Sequence, residues 1–203
     1  MTSEVFVIDD DLAMRDSLTF LLETAGYAVR TFECAQKFLD EMPRHAGGVI
    51  LTDICMPGID GIELLRRLKA ADGKTESAVV VITGHGDISI AVEAMKLGAV
   101  DFLEKPFDDD RLFSVIKSAA ITDSKSKGAL SPEAASRIQS LSQRERQVML
   151  GLVTGLSNKM IAENFDISPR TVEVYRANAM AKLQVNNISE LIRLAIRSGM
   201  IEG

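Results

Sequence analysis

The chain has 203 residues, 46% of them hydrophobic, and a net charge of -6. That is enough for one or two domains with a real core, while no apolar run reaches the roughly 20 residues of a membrane helix. No basic stretch precedes the apolar part of MTSEVFVIDD, which argues against a secretory signal and for a cytoplasmic protein without membrane attachment. Cys34 and Cys55 form neither a CxxC pair nor a Cys/His cluster, which argues against a structural zinc site.

In chain order, VFVID, AVRTF, GVILTD, AVVVIT and AVDFLE are short and rich in β-branched or aromatic residues, and read as buried strands. Between them run amphipathic stretches, LAMRDSLTFLLETAG, CAQKFLDEM, GIELLRRLKAA and ISIAVEAMKLG, with a last helix over about residues 109–120. Asp11 reads as a helix N-cap and Gly26 as a stop. Asp60 opens the helix after the Pro57-Gly58 turn, and Met56 is assigned to packing. Asp87 caps the helix from Ile88, which ends at Gly98. Such alternation of strand and helix implies a doubly wound α/β fold with a five-stranded parallel sheet over residues 1–121.

The segment TDSKSKGALSPEAASR lacks firm periodicity and reads as a linker over 122–140, partly helical if the preceding helix runs on. From 141 to 203 the pattern is all helical. Ser142 and Glu145 have capping-box spacing, NKMIAENF is a short helix, DIS a tight break, and PRTVEVYRANAMAKL a longer helix with Ser168 as N-cap and Pro169 at its first position. A short helix, a tight turn and a longer helix make a helix-turn-helix pattern. Val172, Ala179 and Leu183 share one face of the longer helix and are expected in the core. Charge divides along the same boundary: residues 1–121 carry 21 acidic and 12 basic side chains, and residues 122–203 carry 8 and 11. The two halves are therefore expected to meet different partners, the basic half a polyanion.

Doubly wound sheets bind ligands beyond the carboxyl ends of their strands. Asp9, Asp10 and Asp11 follow the first strand, Asp53 ends the third, Thr83 the fourth, and Lys105-Pro106 the fifth. Adjacent strands lie about 4.8 Å apart, so carboxylates at the first and third can converge. Converging carboxylates repel unless a cation joins them, and an all-oxygen set with few protein donors suits Mg2+. His85, between two glycines, has no Ser or Cys partner and reads as a loop residue.

VIDDD, LTDICMPGIDG, VITGHGD and EKPF, in this order, resemble the receiver domain of two-component response regulators. The resemblance implies a flavodoxin-like sheet of order 2-1-3-4-5. It also implies Asp53 as phosphoacceptor and Mg2+ held by Asp10, Asp9, Asp53 and the backbone carbonyl of Cys55. Lys105 and Thr83 would contact the phosphoryl group, and Thr83 with Phe102 would form a switch. Residues 141–203 resemble the four-helix LuxR-type DNA-binding domain, through Arg144-Glu145, Gly155, Ile161-Ala162, Ser168, Thr171-Val172 and Lys182-Leu183. A recognition helix would present Arg170, Glu173, Val174, Ala177 and Asn178 to base edges. Lys159, Thr171, Arg176 and Lys182 would meet phosphates, with Ser168 at the helix start. Tyr175 stands where many relatives have histidine and is given no base contact.

Together the halves resemble the NarL/FixJ class. The resemblance implies a phosphorylation-dependent homodimer that binds double-stranded promoter DNA and helps RNA polymerase activate transcription. The implied kinase is a FixL-like oxygen sensor, and the implied genes serve nitrogen fixation. Such a receiver is no enzyme beyond its own phosphoryl uptake and loss. The rival readings are a same-class regulator answering another stimulus, a DNA-binding protein with a degenerate receiver, and an Mg2+-dependent aspartyl phosphohydrolase.

Overall fold

The computed structural model describes residues 4–41, 47–70, 77–84, 88–122 and 131–202. His85 and Asp87, singled out above, lie outside the described residues. The chain divides into two compact units, an α/β unit and a helical unit.

In the α/β unit, β1 (Glu4–Ile8), β2 (Ala28–Phe32), β3 (Gly48–Asp53), β4 (Ser77–Thr83) and β5 (Asp101–Glu104) form one sheet of order β2-β1-β3-β4-β5. Every pairing is parallel. The expected order is therefore observed. The fifth strand starts at Asp101, two residues later than the pattern AVDFLE suggests. Central β3 and β4 are almost continuously buried, as parallel strands covered on both faces must be.

The helices of this unit are α1 (Leu12–Thr24), α2 (Ala35–Glu41), α3 (Gly61–Ala70) and α5 (Asp109–Thr122), while α4 (Ile88–Lys96), between β4 and β5 in the chain, groups with the helical unit. On one sheet face Val5, Val7, Val49, Leu51, Val80 and Ile82 join Leu18 and Leu22 of α1 and Leu112 and Ile116 of α5 in a single core. On the other face of β1, Phe6 meets Phe38 of α2 edge to face, with ring centroids 5.8 Å apart. The helix starts follow the sequence signals. Asp11 accepts from the Ala13 N–H at 2.8 Å, and Asp60 from the Glu63 N–H at 2.7 Å. Gly26, at φ +87°, closes the end of α1 in the left-handed region that favours glycine.

The helical unit contains α6 (Pro132–Gln139), α7 (Gln143–Val153), α8 (Asn158–Phe165), α9 (Pro169–Leu183) and α10 (Ile188–Arg197). The Ser142/Glu145 capping box is present. Val172, Ala179 and Leu183 are buried, and α9 packs on both α7 and α8. Between α8 and α9 the chain turns through Asp166 in the left-handed region, a conformation aspartate tolerates better than most residues. Helix α6 lies inside the stretch read as linker. It is a separate helix with its own N-cap, Ser131, and not an extension of α5. It also packs against α9. No described helix is long and apolar enough to cross a membrane.

Candidate functional site

The carboxyl ends of β1, β3 and β5 bring three groups together. The Lys105 ammonium donates to Oδ1 of Asp53 at 2.8 Å and to Oδ2 of Asp9 at 3.0 Å. Both carboxylates are buried, and the lysine is only partly exposed. Burial by itself would lower the Lys105 pKa. Its hydrogen bonds to Asp53 and Asp9 outweigh that and hold it above the ordinary lysine value.

The remaining carboxylate oxygens are also held. The backbone N–H of Cys55 donates to Oδ2 of Asp53 at 2.6 Å, and that of Asp11 donates to Oδ1 of Asp9 at 2.9 Å. Asp10, next in line, is exposed. Thr83 is fully buried at the end of β4, and its carbonyl accepts from the Lys105 N–H at 2.7 Å. Phe102 is buried on β5, opposite Val81. Cys55 is exposed and Cys34 half-buried, and both are free thiols.

These are hard oxygen donors, and two of them already share one cation, the Lys105 ammonium. Among the described residues no three acidic, histidine or cysteine side chains stand together as a ready metal cage. A small set completed by water and a backbone carbonyl is the kind Mg2+ accepts. The donor chemistry fits that ion.

Arg15 is a contributor that the sequence patterns left unmarked. Its Nη1 donates to the carbonyl of Asp9 at 2.7 Å and so ties α1 to the acidic turn. An arginine one turn into the helix after an acidic strand end is the only signal that would have found it.

In the helical unit, Ser168 caps α9 through the Thr171 N–H at 3.0 Å, and the two hydroxyls share a further hydrogen bond. Arg170, Glu173, Val174, Ala177 and Asn178 are all exposed. Among the described residues Val174 is one of the few large apolar side chains left open to water. Arg170 Nη1 donates to Glu173 Oε2 at 2.9 Å, so these two base-edge candidates bond to each other. Lys159 is exposed, and Thr171 and Arg176 are half-buried. Lys182, read as a phosphate contact, has a partner within its own unit. Its ammonium donates to Oε2 of buried Glu145 at 2.7 Å.

Two family models match the chain, the response regulator receiver domain over residues 5–117 and the bacterial regulatory proteins of the luxR family over 139–195. The chain is 58% identical to the transcriptional regulatory protein FixJ of Bradyrhizobium diazoefficiens, over 97% of this chain and 96% of that protein. It is 45% identical to FixJ of Rhizobium meliloti, over 96% of each. The crystal structure of full-length FixJ from B. japonicum matches at 56% identity with a TM-score of 0.57, covering all of both chains. With buried carboxylates gathered at its strand ends and one exposed face on the second helix of its helix-turn-helix, the chain belongs to the two-component response regulators of the NarL/FixJ class, as a FixJ-type transcriptional regulator.

Proposed function

We propose that Asp53 accepts a phosphoryl group from the phosphohistidine of a FixL-like sensor kinase, and that the phosphorylated chain dimerises on promoter DNA and activates transcription of nitrogen-fixation genes. The observation that carries the reading is the single ammonium of Lys105 bonded to both Asp53 and Asp9. It marks the place where a transferring phosphoryl group would find fixed positive charge.

In the proposed transfer an Asp53 carboxylate oxygen attacks phosphorus. The phosphorus–nitrogen bond of the donor breaks, and the leaving imidazole nitrogen keeps the electron pair and takes a proton. Asp10, Asp9, Asp53 and the Cys55 carbonyl would hold Mg2+. When bound, that ion offsets the negative charge of the phosphoryl oxygens. Lys105 shifts from the carboxylate to a phosphoryl oxygen, and the Thr83 hydroxyl donates to another. Phe102 turns into the space that Thr83 vacates, which alters the surface around β5 and favours a homodimer. Two linked DNA-binding units then raise each other's effective concentration at a paired site, where they help RNA polymerase start. Relatives named FixJ support nitrogen fixation as the regulated process.

The test is Asp53→Asn. The variant should take up no phosphoryl group from the kinase, or from acetyl phosphate with Mg2+, and should stay monomeric. Normal uptake by it would refute the assignment. Steady turnover of small phosphate esters by the wild-type chain would favour an aspartyl phosphohydrolase instead.

A further inference from the structure

Two elements grip the same end of α9, and neither grip involves its exposed reading surface. From the start of α7, Glu145 accepts the Lys182 ammonium at 2.7 Å. From α6, Arg137 Nη1 donates to the carbonyl of Leu183 at 3.4 Å. Lys182 and Leu183 are the last two residues of α9.

Each grip has a physical reason. The final carbonyls of a helix lack intrahelical donors and carry partial negative charge, so a guanidinium there is favourable. Glu145 is buried, and a buried carboxylate requires partners. It has two, the Lys182 ammonium and the Ser142 N–H at 2.7 Å, both on Oε2. Helix α6 is itself fixed to α7, because Arg146 Nη2 donates to the carbonyl of Ile138 at 3.2 Å. Ile138 is buried. The carboxyl end of α9 is thus tied to α7 directly and through α6, while Arg170, Glu173 and Val174 at the other end stay exposed.

We infer that Glu145 and Arg137 form a two-point clamp that sets how α9 is presented to DNA, and that Lys182 is a positioning residue within it and not a phosphate contact. A charge used up in an internal ion pair releases no counterions from DNA. An exposed lysine on a phosphate would do so. The clamp also explains why α6 is there, since the segment joining the two units ends in a helix that holds the recognition helix. This inference rests on the reading of α9 as the recognition helix.

The test uses the full chain, a duplex that the wild type selects from a randomised pool, and a random-sequence duplex of equal length. Binding is measured across a salt series. Lys182→Met, Glu145→Gln and Arg137→Met should each weaken binding to the selected duplex, roughly tenfold for loss of a charge-assisted bond. For Lys182→Met the salt slope and the binding to the random duplex should stay unchanged, because its charge is spent inside the unit.

Glu145→Gln is decisive by its sign. Removing a negative charge beside a polyanion should tighten binding by electrostatics alone, whereas loss of the clamp weakens it. The Lys182→Met/Glu145→Gln double variant should be no worse than either single one, and Lys182→Arg should retain wild-type binding. If Glu145→Gln reduces folding, Arg137→Met decides. Its half-buried side chain caps the helix end without charging the core, so unchanged selectivity in that variant overturns the clamp. A Lys182→Met salt slope reduced by about one, with equal loss on both duplexes, would make Lys182 a phosphate contact and also overturn it. A wild-type chain that holds both duplexes equally overturns the α9 reading, and the clamp with it.

Discussion

Lys105 and Asp53 are 52 residues apart in sequence, yet the ammonium of one lies 2.8 Å from the carboxylate of the other. The same ammonium donates to Asp9, so one cation holds two buried acids at the carboxyl ends of two strands. Lys105→Met should leave two carboxylates facing each other and lower the unfolding free energy by about 2 kcal/mol. Urea titrations should show it, with added Mg2+ recovering part of the loss as it offsets the same repulsion.

Gly61 starts α3 directly against the end of β3. A Cβ there would lie well inside contact distance of the Asp53 carbonyl oxygen and within 3.0 Å of Ile54 Cα. Both neighbours are backbone and yield little. Gly61→Ala should therefore destabilise the α/β unit by about 1–3 kcal/mol and displace Asp53. Thermal melting and phosphoryl uptake should fall together, although the substitution removes no side-chain contact.

At the start of α9, Ser168→Ala removes the acceptor for the Thr171 N–H and the bond to the Thr171 hydroxyl. The expected loss is about 1 kcal/mol, the usual effect of deleting a serine N-cap. Ser168→Asp should restore most of it, as judged by circular dichroism melts of the full chain.

Acid sensitivity of the helical unit should depend on Glu145. The Lys182 ammonium first, and then the Ser142 N–H, hold its pKa below the ordinary 4.5. A carboxylate lowered on folding stabilises the fold in full above its unfolded value, and that contribution disappears as the pH falls through the lower folded value. Wild-type stability should therefore drop from about pH 4.5 downward more steeply than that of Glu145→Gln. The difference between the two melting curves against pH is the measurement.

Much of this architecture is visible in short windows of sequence. The strands GVILTD and AVVVIT reveal themselves through β-branched residues, and the observed strands end on the same Asp53 and Thr83. Asp11, Asp60, Ser142 and Ser168 cap helices as their local patterns require. Caps and strand ends are local, set by residues within one turn of each other.

Helix α6 escaped because PEAASRIQ has only one strongly apolar side chain, Ile138, and eight residues are too few to show a period. Lys182 looked like a surface cation for a related reason: nothing near it in sequence is its partner, and Glu145 lies 37 residues away.

By itself, then, the sequence determined which residues form strands, which cap helices, and which carboxylates, lysine and threonine stand at strand ends. Only the tertiary structure decided who pairs with whom. It gave Lys105 to Asp9 and Asp53 together, Lys182 to Glu145, and Arg137 to the last carbonyl of α9. The reason is range. Backbone preference is settled within a few residues, whereas the partner of a charge depends on strand order and helix packing, which bring distant segments into hydrogen-bonding reach only when the whole unit has folded.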